Sequence, residues 1–202
     1  MIDRRDFLLA ALGVGAAAAM PNAAHAQAAE RASAFIKSTG ERLVAVVNGP
    51  GTAVQKRQAI GQIIVAAVDV DAVGRFSLGR FWRQSSPEQQ KTYLALFQEV
   101  FITNITAKLG EYQGVRFTLG RARAQDEEQV VSTVVERPNS APATVDWVVT
   151  KPAAAPRIID VIAEGTSLRI TQRSDYSAYL QRNNNSIDAL LAAMKTQIDS
   201  AK

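Results

Sequence analysis

Cysteine is absent from this chain of 202 residues, and histidine occurs once, at His25. Without cysteine no disulfide can staple the fold and no thiol can act as a nucleophile. A single histidine leaves little room for imidazole chemistry, the commonest source of a general base or a transition-metal ligand. Long apolar runs are missing too. Beyond the N-terminus none approaches the ~20 residues that a bilayer-spanning helix needs. A G-x-G-x-x-G fingerprint, a phosphate loop and a G-x-S-x-G elbow are also lacking. What the chain has is apolar bulk. Hydrophobic residues make up 47% of it, enough for a sizeable core and too many for global disorder.

The N-terminus reads as a leader. Asp3-Arg4-Arg5-Asp6 is a charged n-region, residues 7–20 form an apolar run of signal-sequence length, and Ala24-His25-Ala26 is an A-x-A cleavage site. The expected division is a signal peptide over 1–26 and a single folding unit over 27–202. Arg4-Arg5-Asp6-Phe7-Leu8-Leu9 resembles a twin-arginine signal, the export route for folded proteins, and a general secretory signal fits the same pattern. Cleavage removes His25. Ser-His-Asp and Cys-His arrangements are then impossible, whereas a Ser-Lys or paired-carboxylate enzyme is not. The formal net charge is +4, and the four leader charges cancel, so the processed chain keeps it. That sign suits anionic lipid headgroups or nucleic acid. An exported protein meets the first and not the second, and scattered solvated Lys and Arg account for most of the charge. No nucleic-acid partner, metal or resident cofactor is expected.

Periodicity predicts helices, then strands, then helices. Ile36, Leu43 and Val47 recur at helical spacing over 28–48, and Asn48-Gly49-Pro50-Gly51 stops that helix. Ile60, Ile63, Ile64, Ala67 and Val68 mark a second. A short third helix near Asp71 carries Val73, Phe76 and Leu78. Ser86-Pro87-Glu88-Gln89 is a helix start with a capping box, followed by a stripe of Leu94, Phe97, Phe101 and Ile105 that ends at Leu109-Gly110. From Val115 the pattern alternates. Four strands are predicted: from Val115 onward, over 129–137, over 144–151 and over 157–163, joined by short turns that imply an antiparallel meander. Asp126-Glu127-Glu128 lacks calcium-loop spacing and reads as a solvated turn. A helix over 174–182 follows, and Ser186 caps a last one with Ile187, Leu190, Leu191, Met194 and Ile198 on one face. The order argues an α+β fold, a four-stranded antiparallel sheet covered by helices.

Val70-Asp71, Arg75-Phe76-Ser77-Leu78-Gly79-Arg80-Phe81-Trp82-Arg83, Pro87-Glu88-Gln89-Gln90 and Tyr93-Leu94-Ala95-Leu96-Phe97 together resemble the toluene-tolerance or Mla family of periplasmic phospholipid shuttles. Val145-Asp146-Trp147, residues 159–168, Arg173-Ser174-Asp175-Tyr176 and Ile187-Asp188-Ala189-Leu190 continue the resemblance in order along nearly the whole processed chain. The resemblance implies a fold like nuclear transport factor 2, a curved sheet with helices enclosing an apolar cavity. It implies a lipid cargo, an inner-membrane ABC transporter complex and an outer-membrane lipoprotein complex as partners, and no catalysis. The leader and Asn183-Asn184-Asn185 lean toward a hopanoid-associated branch, whose cargo is polycyclic rather than a phospholipid.

Two surfaces are candidates to line the cavity. One is a sheet face of Val115, Phe117, Val134, Val145, Trp147 and Val149. The other is a helical layer of Phe76, Phe81, Trp82, Phe97 and Phe101. Each such residue is more often plain core, so the set carries the expectation and no single member does. Tyr176 and Tyr179 fit either gating of the mouth or interfacial packing. Arg75, Arg80 and Arg83 fit either a lipid phosphate or ion pairs with Asp71, Asp146 or Asp160, with Arg80–Asp160 expected to pair. Two other function classes compete: an enzyme of the same fold with Asp146 or Asp160 as base in an apolar pocket, and an adaptor whose groove receives a peptide.

Overall fold

A computed structural model describes residues 20–107, 112–151 and 154–201. The twin-arginine motif, the helix stop at Leu109-Gly110 and the start of the Pro152 turn lie outside these residues. Helices α1 (Met20–Asn48), α2 (Ala53–Ala67), α3 (Val70–Leu78) and α4 (Pro87–Thr106) precede the sheet, with a 3-10 turn at Gly79–Gln84 between the last two. Strands β1 (Arg116–Gln125), β2 (Glu128–Glu136), β3 (Ala143–Thr150), β4 (Arg157–Ala163) and β5 (Thr166–Ser167) follow. Helices α5 (Leu168–Arg182) and α6 (Ile187–Ser200) close the chain.

The helix boundaries have local causes. Thr52 and Gln55 form a capping box on α2, and Ser86 and Gln89 form the expected one on α4, with Pro87 at its first position. The end of α1 is tied to the sheet by one side chain. Asn48 donates to the Val115 carbonyl at 3.0 Å and accepts from the Gly114 N–H at 2.8 Å. Arg157 donates to the Val65 and Ala66 carbonyls at the end of α2, where a helix leaves acceptors unfilled. Val68 then forms a parallel bridge with Ile158, which fixes the α2–α3 junction to β4.

The sheet is an antiparallel meander in chain order, β1-β2-β3-β4-β5. The fifth strand is two residues long and pairs Ser167 with Ile162, so five strands stand where four are expected from the sequence. Alternation sorts the side chains onto two faces. Val131 opposes Trp147 and Thr133 opposes Val145 on one face, and Ala32 and Ile36 of α1 pack there with Val131, Val149 and Ile158. Val130, Val148 and Ile159 cluster on the other. The larger core lies among the helices: Phe81, Tyr93, Phe97, Tyr176, Leu180 and the buried face of α6 pack with Val47 and Val115.

Three helical details differ from expectation. On α4 the buried positions are Tyr93, Phe97, Val100 and Thr106, while Ile105 is exposed. The stripe read from the sequence is thus rotated toward Leu94 and Ile105. Helix α5 starts at Leu168, six residues before Ser174, because Ser167 caps it by accepting from the Ile170 N–H. Its first turns escape a periodicity test because Leu168 and Ile170 are exposed there. Helix α1 begins by Met20 and so runs through the expected cleavage site.

Candidate functional site

The aromatic residues of the helical layer meet around Tyr93. Its ring lies 5.7 Å from Phe97, 6.2 Å from Tyr176 and 6.4 Å from Trp82, and Phe101 stacks on Phe97 at 5.9 Å. Tyr93 is fully buried and donates its hydroxyl to the Gly74 carbonyl at 2.9 Å. It is the centre of the cluster and, although part of the segment that carries the family resemblance, is absent from the candidate lining residues. Its place four residues before Phe97 on α4 is the signal that identifies it. Burial pushes the phenols of both Tyr93 and Tyr176 well above their ordinary value of 10.0, since the charged form would be stranded among apolar rings.

The sheet surface is built differently from the expected one. Trp147 and Val149 lie with Val131 against α1. Val145 is half-buried on the same face. Phe117 packs on Gly40 of α1, where a β-carbon would come within 2.5 Å of the ring. Glycine there is what lets helix and strand approach. Val115, just before β1, belongs to the helical cluster instead. Val134 does not belong to this surface. Its partner is Thr144, it faces the opposite side, and it is exposed. Strand parity decides this, because a shift of one residue changes the face. The residue that takes its place is Thr133, buried, which donates to the Val145 carbonyl at 3.1 Å and accepts from Trp147 Nε1 at 2.9 Å.

Phe76 sits apart from the other rings, beneath two guanidinium groups. Arg169 lies 4.6 Å and Arg173 5.1 Å from its centre. The cations near the 3-10 turn stack on rings as well: Arg75 on Trp82 at 5.1 Å and Arg80 on Phe81 at 4.9 Å. The expected Arg80–Asp160 pair is not formed. Asp160 is buried and accepts from Ser167 Oγ at 2.6 Å, the Val161 N–H at 2.8 Å and the Arg169 N–H at 3.1 Å, with Arg169 Nε at 3.4 Å. The β4 register places Asp160 beside the first turn of α5, and the nearest cation is Arg169. Asp146 accepts from Ser132 and pairs with Arg123 at 3.4 Å. Both aspartates lie on the sheet face opposite Trp147 and Val149. Among the described residues no group of three or more His, Cys, Asp or Glu side chains could hold a metal ion.

Two depressions among the described residues lie elsewhere. An open one of about 510 Å³ at the α1–α2 turn is lined by Val46, Pro50, Gln55 and Lys56. A second of about 190 Å³ lies between Arg57, Ile102 and Ile198. Of the expected lining residues, Phe81, Trp82, Phe97, Phe101, Val115 and Tyr176 fall in the helical cluster and Trp147 and Val149 in the sheet cluster, and Val68 packs against both.

The MlaC protein family matches residues 37–196, spanning every element from α1 to α6. The chain belongs to the MlaC family. A relative of the MlaC chain, the toluene tolerance protein Ttg2D of Pseudomonas putida, is 23% identical over 146 residues, 71% of this chain and 68% of that one. A solved structure, the phospholipid-binding protein from Ralstonia solanacearum in complex with a phospholipid, is similar with a TM-score of 0.74 and 22% identity, over 84% of this chain and 98% of that one. That likeness establishes the α+β fold. A twin-arginine translocation signal matches residues 1–21 and marks this MlaC chain for export to the periplasm.

Proposed function

We propose that this protein is a periplasmic lipid carrier. It holds the acyl chains of a phospholipid between the aromatic cluster of α3–α5 and the Trp147 face of the sheet, and moves the lipid between an inner-membrane ABC transporter complex and an outer-membrane lipoprotein complex. Membership of the MlaC family over residues 37–196 carries the reading. The physical demand is large. At ~0.8 kcal/mol per methylene, two long chains represent roughly 20–25 kcal/mol of gross transfer cost in water. A carrier must offer an equally apolar surface and needs few polar contacts. The border between the two clusters is where such a surface can be opened, because the helical core and the sheet core are each packed within themselves. Parting them exposes apolar side chains on both sides while the hydrogen-bonded tie at Asn48 holds α1 to the start of β1.

The test is native mass spectrometry of the exported protein from its host, followed by denaturing extraction and identification of the released lipid. A stoichiometric phospholipid supports the carrier. A hopanoid keeps the mechanism and changes the cargo. A protein that is empty and also takes up no lipid from vesicles refutes the reading and leaves the adaptor.

A further inference from the structure

Tyr93 and Tyr176 share one aromatic cluster but are treated differently. The Tyr93 hydroxyl has the Gly74 carbonyl as partner, whereas the Tyr176 hydroxyl, also shut off from solvent, has none among the described residues. A phenylalanine would fill the same space without stranding a donor, and a stranded buried donor is destabilising. The unpaired hydroxyl belongs to a series. Arg169, Arg173, Tyr176 and Leu180 fall at i, i+4, i+7 and i+11 on α5, one stripe of the helix.

The stripe changes character along its length. Arg169 is fastened to Asp160 and lies over Phe76. Arg173 lies over the same ring, is exposed, and has no carboxylate partner among the described residues. It is seated against Gly79, where a β-carbon would come within 3.0 Å of its Nε. Tyr176 follows, and then Leu180, fully buried in the helical core. From the surface inward the order is a free cation, an unpaired hydrogen-bond donor and an apolar side chain. At 1.5 Å per residue these steps are about 4.5 Å and about 6 Å along the axis. A glycerophospholipid has the same order over similar distances: phosphate, ester carbonyl, acyl chain.

We propose that this face of α5 recognises the glycerophosphate end of a diacyl phospholipid. Arg173 takes the phosphate, the Tyr176 hydroxyl donates to an ester carbonyl, and the acyl chain passes Leu180 toward Tyr93 and Phe97. The inference rests on the carrier reading and deepens it by naming the part of the cargo that is read. A polycyclic hydrocarbon offers neither group to this stripe.

The experiment offers the exported protein vesicles containing equal amounts of phosphatidylglycerol, its dialkyl ether analogue and the matching diacylglycerol, and counts protein-bound lipid by mass spectrometry. The wild type is expected to favour ester over ether by about tenfold, the worth of one good hydrogen bond, and phospholipid over diacylglycerol by at least as much. Tyr176→Phe should bring the ester-to-ether ratio near one and keep the phosphate preference. Arg173→Gln should do the reverse. Variants that keep the wild-type ratios overturn the inference while leaving the carrier standing, as do variants that lower all three lipids alike. Inorganic phosphate in excess should leave lipid uptake unchanged. Competition by it would make Arg173 a free-anion site and overturn the phospholipid assignment. A wild type that takes up none of the three refutes the carrier reading itself.

Discussion

Trp147 presents a large ring to α1, and its indole N–H is held by Thr133, whose own hydroxyl proton goes to the Val145 carbonyl. One threonine therefore satisfies a donor and an acceptor at once in a buried place. Thr133→Val keeps the shape and strands the indole N–H. The expected loss is ~1–3 kcal/mol of stability in urea or guanidinium titration, with Thr133→Ser close to wild type. Val134→Thr, one residue along on the exposed face, should change stability by less than ~0.5 kcal/mol. The contrast measures strand parity directly. Parity on β2 was hard to read in the sequence because Val130, Val131, Val134 and Val135 place apolar side chains on both faces. The buried tyrosines make a second prediction. Their folded-state pKa values lie above the unfolded value of 10.0, so the folded protein binds more protons above that pH. Their contribution is complete below pH 10 and is lost as pH rises beyond it, by about 1.4 kcal/mol per pH unit for each phenol. Stability profiles of Tyr93→Phe and Tyr176→Phe should each be flatter than wild type above that pH. Equal slopes in all three proteins would refute the assignment.

Elements announced by their ends were legible, and those announced by their faces less so. Ser86-Pro87-Glu88-Gln89 names the start of α4, and the observed capping box confirms it. The stripe on the same helix was placed a fraction of a turn away, since Tyr93 and Leu94 are both large and adjacent. Helix α5 was legible only in its second half, because an exposed Leu168 and Ile170 conceal the apolar face. The short α3 ends at Gly79, whose φ of 59° and ψ of −127° suit glycine alone. That turn sets the 3-10 segment under Arg80 and seats Arg173. Gly79→Ala should destabilise the protein by at least ~1–3 kcal/mol through backbone strain, with added cost as its β-carbon displaces Arg173. A thermal melt indistinguishable from wild type would rule out this role for the turn.

At the scale of the molecule, the fold class and the antiparallel meander were legible because β-branched segments alternate with short Pro-, Asn- and Gly-containing turns. The division of the core into a helical and a sheet cluster was not, since apolar side chains carry no mark of which layer receives them. The same holds for Asp160, whose partner Arg169 lies nine residues away in sequence but is placed by the β4–β5 hairpin. If the border between clusters takes up lipid, loading should raise the melting temperature. A ligand at 100 times its Kd adds ~2.7 kcal/mol to the folded state, and calorimetry of lipid-free and loaded protein reads it. No shift on loading would place the lipid outside the fold.

The meander also has a kinetic side. Strands β1 to β4 each pair with a sequence neighbour, so the sheet can assemble through local contacts of low entropic cost. The junction of α1 with the start of β1 differs, for Asn48 and Val115 are 67 residues apart. Closing that loop is worthwhile only once both sides exist. Docking of α1 should therefore fall late on the folding path. Asn48→Ala is expected to speed unfolding while leaving the refolding rate in stopped-flow experiments nearly unchanged. The first of the described helices to leave the ribosome would then be the last to find its place.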